Sequence, residues 1–260
     1  MGAQGCSTQE DILYAYFSDP IWSQEKERQF HTYLQQIAEL KFPVQPGKIK
    51  IQRIENQDWN AQWKQSIKPI EIAGKISIKP SWITVDTSSA MQIIEIDPQM
   101  AFGTGVHATT QLMLKLLIEH IGTPARIMDI GTGTGILAIA AARLSGARII
   151  AFDIDPIAAA TARENSIRNH AQDKIHFFCG TIDAVKDTHF DLILANINRS
   201  IIIESLSQIF RCLSDTGLAI FSGVLIDEKK LFIKNLQKYG FKAIEELCQD
   251  EWVGLVVRRE

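Results

Sequence analysis

"DIGTGTG", residues 129–135, sets a glycine at every second position, with an aspartate in front and the small apolar run "ILAIAAA" (136–142) behind. Glycine loses more backbone freedom on folding than any other residue, so three in one short turn mark a place where the main chain must bend sharply or approach something closely. "ARIMDI" (125–130) before the turn has a strand pattern, and Gly135–Leu144 after it reads as a helix. A strand, a glycine turn and a helix in that order present N–H groups at the positive end of a helix, a seat for an anionic or adenosine-like ligand. The spacing lacks the third glycine of the dinucleotide fingerprint Gly-x-Gly-x-x-Gly, and it lacks the Gly-Lys-Ser/Thr of a P-loop. Nicotinamide redox chemistry and nucleoside triphosphate chemistry are both disfavoured.

The same alternation continues outward. "ARIIAFD" (147–153) is the next strand, and an acid at its tip would accept hydrogen bonds from ribose hydroxyls. "AFDIDP" offers two such acids: Asp153 ends the strand and is assigned to the ribose, whereas Asp155 precedes Pro156 and is assigned to capping the helix Pro156–Asn169. Strands follow at "KIHFFC" (174–179), "HFDLILAN" (189–196) and "GLAIFSG" (217–223), with helices at Arg199–Leu213 and Asp227–Tyr239. "FKAIEELCQD" and "EWVGLVVRRE" close the chain as an antiparallel pair. A helix over 107–121, "HATTQLMLKLLIEHI", leads into the first strand and follows the loop "DPQMAFGTG". The pattern predicts an α/β fold, a doubly wound and mostly parallel seven-stranded sheet, over residues 69–260. Asn196 ends the fourth strand at its carboxyl end, the edge where open α/β sheets bind ligands, and a plain turn asparagine is the alternative.

Residues 1–55 read as a separate small α/β domain: strand "DILYAYF" (11–17), helix Ser23–Leu40, the break "FPVQPG", and strand "IKIQRIE" (49–55). Residues 56–68 form a connector, with Trp59 and Trp63 on one side of a short helix. The 260 residues carry 46% hydrophobic side chains, enough for one large core and a small appended domain. With 27 basic against 30 acidic residues and a net charge of −3, no basic field exists to hold a nucleic-acid backbone. Cys6, Cys179, Cys212 and Cys248 form no Cys-x-x-Cys pair, which argues against a metal site or a disulfide framework and fits a reducing cytoplasm. No apolar run approaches the roughly 20 residues that span a bilayer, and no signal pattern opens the chain. "MGAQGC" has cysteine where myristoylation wants Ser or Thr. A cytoplasmic protein without a membrane partner is expected.

Several blocks together resemble the S-adenosylmethionine-dependent methyltransferases of the seven-stranded class, and within it the ribosomal protein L11 methyltransferases, the PrmA family. They are "DPQMAFGTGVHATT" (97–110), "DIGTGTGILAIAAA" (129–142), "DIDPIAAATARENSIRN" (153–169), "LANI" (194–197) and "EWVGLVVRR" (251–259), with "DWNAQWKQSIKP" and "KPSW" similar to the family's connector. The resemblance implies S-adenosyl-L-methionine as cofactor and methylation of amino groups, lysine side chains or the N-terminal amine, of ribosomal protein L11, free or on the large subunit. It implies no nucleic-acid specificity of its own. By position it places cofactor contacts at Thr110, Gly131, Asp153 and Asn196, of which Gly131 and Asp153, with Gly133 and Gly135, were already reached from the residues. Thr110 has two readings, a hydroxyl toward the cofactor's methionine end or a helix-start threonine bonded to its own backbone. Phe102, Gly103 and Thr104 in the "FGTG" loop and His107 beside it fall at the same site; Phe102 fits a pocket wall or plain packing, and His107 fits the amine site or a surface loop.

The chain differs from related enzymes in one place and departs from the family in two. "NINR" (196–199) replaces the Asn-Pro-Pro-Tyr of related enzymes that methylate amides or adenine amines, which favours a flexible aliphatic amine. Ala108 stands where proline is usual. The chain opens directly at "GAQG", so the N-terminal domain, otherwise like a ferredoxin-like unit, is expected to be shortened by its first strand and helix, and it is the domain the family uses for substrate recognition. Two other readings stand beside the main one: a methyltransferase of the same fold for another protein or a small-molecule amine, and a non-catalytic cofactor-binding scaffold. The intact Gly131, Asp153 and Asn196 weigh against the scaffold. Because the sulfonium donor is already activated, alignment and a neutral nucleophile suffice, and no dedicated general base is expected.

Overall fold

Period-two burial builds the central sheet. In strands β6 (Arg126–Ile130) and β9 (Phe190–Asn196), successive side chains enter opposite cores: Ile127, Leu192 and Leu194 join one cluster, while Met128, Ile130, Ile193 and Ala195 join the other. Strands buried on both faces read as continuous apolar runs, as "RIMDI" and "FDLILAN" do. The structure is a computed structural model that describes residues 5–9, 12–17, 23–39, 50, 68–85, 91–97, 105–186 and 189–260. Internal contacts divide the chain into Met1–Asn60 and Ala61–Glu260.

In the larger unit, the remaining strands are β7 (Arg148–Asp153), β8 (Ile175–Cys179), β10 (Leu213–Leu225), β11 (Phe241–Gln249) and β12 (Trp252–Arg259). The sheet runs β11-β12-β10-β9-β6-β7-β8, seven strands, with β12 antiparallel to both neighbours and the other pairings parallel. The chain winds outward from β6 to β8 and then returns to β9 on the other side of β6, so the switch point lies between β6 and β9. Helices α2 (Ala108–His120) and α3 (Ile136–Ser145) cover one face through residues such as Leu116, Leu117 and Ile139. Helices α5 (Arg199–Cys212) and α6 (Lys229–Lys238) cover the other through Ile202, Leu206, Phe232 and Leu236. Helix α4 (Pro156–Arg168) runs between β7 and β8.

These elements lie within a residue or two of their predicted bounds, with two differences. Strand β10 begins at Leu213, earlier than the predicted 217, because Leu213 pairs with Phe190 before a register shift restores pairing at Leu218. The intervening Ser214–Gly217 reads as a turn in sequence and is an irregularity of the strand in space. A second sheet was not predicted at all: β3 (Ile70–Ile72), β4 (Ile76–Lys79) and β5 (Gln92–Glu95), with β3–β4 antiparallel and β4–β5 parallel. Its isoleucines 72, 76, 78, 94 and 96 are buried in the same cluster as α2 and α3.

In the smaller unit, β2 (Ile12–Tyr16) and α1 (Gln24–Glu39) fall where expected. An additional strand, β1 (Gly5–Gln9), pairs antiparallel with β2, and the Ser7 and Tyr16 hydroxyls meet at 3.2 Å across the hairpin. The predicted strand 49–55 and the connector helix with Trp59 and Trp63 lie outside the described residues, except that Lys50, Lys68 and Pro69 are described and irregular.

Candidate active site

The three glycines end β6 with positive φ, +66° at Gly131, +56° at Gly133 and +83° at Gly135, a region that side chains with a Cβ rarely enter. Gly135 caps α3, and a methyl group there would stand 3.0 Å from the Cβ of Ala162 in α4. The bend is therefore also a packing contact. The Thr132 amide donates to the Phe152 carbonyl at 3.0 Å, and Gly135 N–H closes the turn onto the Thr132 carbonyl at 2.8 Å. From α4, Asn165 Nδ2 donates to the Thr134 carbonyl at 2.9 Å.

Asp153 stands at the tip of β7, half-buried. Its Oδ2 accepts from the Gly133 amide at 2.9 Å and its Oδ1 from the Asp155 amide at 3.0 Å. A carboxylate has about four lone-pair directions, so capacity is left for hydroxyl donors. Asp155 is the N-cap of α4, accepting from Ile157 N–H at 2.9 Å with Pro156 at the first helical position, as the sequence predicts. Adjacent acids thus do different work because one ends a strand and the other starts a helix.

Asp129, on β6 below the turn, is fully buried. Desolvation drives its carboxyl up to about 7, against the opposing hydrogen bond from the Thr132 hydroxyl (2.7 Å to Oδ2) and the pull of the Ala138 amide, and the nearby Asp153 charge raises it further. Its Oδ1 has no hydrogen bond of normal geometry among the described residues.

At the start of α2, His107 is the N-cap: its Nδ1 accepts from Thr109 N–H at 3.3 Å and lies 2.8 Å from the Thr109 hydroxyl. Its ring meets the Trp252 ring edge-on, with centroids 5.3 Å apart. Thr110 is fully buried, and its hydroxyl has no hydrogen-bond partner among the described residues. Polar contacts fasten this end of α2 to the β11–β12 turn. Lys115 Nζ donates to Gln249 Oε1 (2.8 Å), Gln249 Nε2 to Gln111 Oε1 (2.9 Å), and Gln111 Nε2 to the Val106 carbonyl (3.0 Å).

Asn196 ends β9, paired with Ser222 of β10. Ile197 follows, and Asn198 then caps α5 by accepting from the Ser200 amide at 3.0 Å. The glycine turn, Asp153 and Asn196 all leave the carboxyl ends of three adjacent parallel strands, β6, β7 and β9. Trp252 pairs with Leu225 at the carboxyl end of β10, which brings His107 to the same edge. Phe102, Gly103 and Thr104 lie outside the described residues.

Three residues near this edge were not singled out from sequence: Asp129, Asn165 and Ile197. Burial of a carboxylate and contacts between distant segments leave little trace in a linear pattern. A further titratable group, Glu119, His120 and Glu245, brings ligand atoms within 4.8 Å of one another at the other end of α2, where His120 Nε2 already pairs with Glu245 Oε2 at 2.8 Å.

The chain is similar to known proteins over most of its length. The family described as "Ribosomal protein L11 methyltransferase (PrmA)" matches residues 7–260. Proteins named ribosomal protein L11 methyltransferase from Carboxydothermus hydrogenoformans and Clostridium perfringens are 38% and 32% identical, over 88% and 95% of this chain and 76% and 79% of their own lengths. A crystal structure of ribosomal protein L11 methylase from Lactobacillus delbrueckii subsp. bulgaricus superposes with a TM-score of 0.69 at 32% identity, covering 75% of this chain and 100% of that one. With both the sheet order and the sequence in agreement over most of its length, the chain belongs to the ribosomal protein L11 methyltransferase (PrmA) family.

Proposed function

We propose that this protein transfers methyl groups from S-adenosyl-L-methionine to amino groups of ribosomal protein L11, with the cofactor held at the glycine turn and the amine aligned by Asn196. The observation that carries the reading is the convergence of the 131–135 turn, Asp153 and Asn196 on one carboxyl edge at the sheet's switch point. The donor set suits such a cofactor. Asp153 keeps acceptor capacity for ribose hydroxyls beside the turn it secures. Ile154, the next residue, is 70% exposed and offers apolar surface for a flat base. The Thr110 hydroxyl, buried and without a hydrogen-bond partner among the described residues, is a group that an amino-acid moiety can satisfy.

When bound, S-adenosylmethionine supplies a methyl group on a positive sulfonium, already activated for transfer. The chain's own task is to deliver a neutral amine in line with it. A lysine with pKa about 10.4 is neutral at pH 7 in roughly one molecule in 2,500, a cost near 4.6 kcal/mol, whereas an α-amine at about 7.7 costs about 1 kcal/mol. A partly dry edge and a neighbouring positive charge both favour proton loss. The Asn196 carbonyl then accepts one amine N–H and aims the lone pair. No general base is assigned; His107 Nδ1 is turned toward Thr109 as a helix cap. Phe102, Gly103 and Thr104 are assigned to the cofactor side of the site with His107.

Residues 1–55 are assigned to recognition of the protein substrate and 56–68 to the connector; Tyr14, Tyr16 and Tyr33 give the smaller unit exposed aromatic surface of the kind protein interfaces use. Transfer of a labelled methyl group to purified ribosomal protein L11 tests the activity, with calorimetry for cofactor binding. Asn196→Ala is expected to slow methylation at least about tenfold at saturating cofactor, with a smaller loss of cofactor affinity. A rate within twofold of wild type, together with an Asp or His variant that binds cofactor normally and does not methylate, overturns the mechanism.

A further inference from the structure

Between the end of β9 and the cap of α5 the chain has one residue, Ile197, in which to turn. Two glycines from distant parts of the chain close on it, one in β10 and one in the turn after β6. Gly223 of β10 has φ +84°, and a methyl group there would stand 2.2 Å from the Ile197 carbonyl oxygen, 2.9 Å from its carbon and 3.3 Å from its nitrogen. All three are backbone atoms, so no side-chain rotation relieves the collision. On the other side Gly131, φ +66°, is so close that a methyl group would stand 2.2 Å from Ile197 Cγ2. Ile197 is β-branched and stiff at χ1, so its side chain transmits that contact to the backbone.

We propose that Gly223 and Ile197 are positioning residues for methyl transfer: the Ile197 peptide is clasped between Gly223 and Gly131, and this fixes the backbone of the neighbouring Asn196 at the end of β9, beside the glycine turn. Ser222 adds the anchor on the far side. It pairs with Asn196 in the sheet, and its hydroxyl donates to the Val253 carbonyl at 3.0 Å, tying β10 to β12 directly beneath the clasp. The chain here reads "NIN" rather than a proline-containing turn, so rigidity that proline would build into the loop is supplied instead by close contact from β10 and from the glycine turn. The inference rests on the reading of Asn196 given above.

A double-mutant cycle tests it, on the full-length protein with S-adenosylmethionine and purified ribosomal protein L11. Gly223→Ala is expected to lower kcat at least tenfold while the calorimetric Kd for cofactor and the KM for the protein substrate stay within threefold. In an Asn196→Ala background the same Gly223→Ala change is expected to lower kcat less than threefold, because its effect runs through Asn196. A merely structural role gives additive losses in both backgrounds, and that result overturns the proposal. Ile197→Ala makes slack rather than a collision, and it decides the matter if Gly223→Ala does not fold: a folded Ile197→Ala protein with wild-type kcat overturns the clasp, and a fall in kcat at constant cofactor Kd supports it. Should Asn196→Ala itself keep full rate, the parent reading fails; should it lose rate while folded Gly223→Ala and Ile197→Ala keep theirs, only the clasp fails.

Discussion

Asp153 has two attachments before any ligand is considered, the amides of Gly133 and Asp155. Removing its carboxylate therefore frees the glycine turn as well as deleting an acceptor. Asp153→Ala is expected to weaken cofactor binding by about 10–100-fold, the value of one or two charge-assisted hydrogen bonds, as read by calorimetry. Asp129 makes an opposite kind of prediction. Its carboxyl rises from an ordinary 3.8 to about 7 because burial disfavours the charge. The folded state then binds this proton more tightly than the unfolded chain, so stability falls as pH rises from about 4 to about 7, by up to about 4 kcal/mol, and the penalty stays constant above that. Asp129→Asn is expected to flatten that slope in denaturant melts and to be no less stable than wild type at pH 8. The cap role of Asp155 was legible in "DIDP", because proline fixes the helix start and so identifies the cap. The state of Asp129 was not, since its pKa depends on a dry environment assembled by α3 and the neighbouring strands.

Helix α4 acts at the scale of elements. Its Asn165 holds the Thr134 carbonyl of the glycine turn; one helical turn later Asn169 accepts from the Glu95 amide at 2.7 Å and donates to the Glu95 carbonyl at 2.8 Å and to the Asn165 carbonyl at 2.8 Å. Arg168 pairs with Asp97, whose carboxylate also accepts from the Ser81 amide at 2.7 Å and hydroxyl at 3.0 Å. Burial alone would raise the Asp97 carboxyl, but the Ser81 bonds and the Arg168 charge outweigh it and hold the group below the usual carboxylate range. Helix α4 thus fastens the glycine turn to β5, the edge of the small sheet. Asn169→Ala, which leaves two backbone groups of β5 unpaired, is expected to cost about 2–4 kcal/mol in equilibrium unfolding. Sequence spacing placed α4 and its cap correctly, yet the small sheet went unread although its signal was present. "IEIAGKISIK" alternates isoleucine with polar residues around an Ala-Gly turn in which Ala73 and Gly74 both have positive φ. The strands are only three and four residues long, too short for alternation to stand out against a connector.

For the molecule as a whole, the division at residue 60 makes the larger unit a candidate for independent folding. A chain of residues 61–260 is expected to melt in one cooperative transition and to bind S-adenosylmethionine with affinity close to that of the full chain, while losing methylation of ribosomal protein L11. Among the described residues no helix is long and apolar enough to cross a membrane. The sequence by itself determined the order of strands and helices from α2 to β12, the glycine turn, the acid at the tip of β7 and the asparagine at the end of β9. Each of these is local: a period of two or of 3.6, a turn that needs glycine, or a cap beside proline. Only the tertiary structure decided which segments meet across the sheet. The contact of Ile197 with Gly131 and Gly223, the hold of Asn169 on β5, the meeting of His107 with Trp252 and the raised carboxyl of Asp129 all join residues far apart in the chain, and their partners follow from strand order and helix packing.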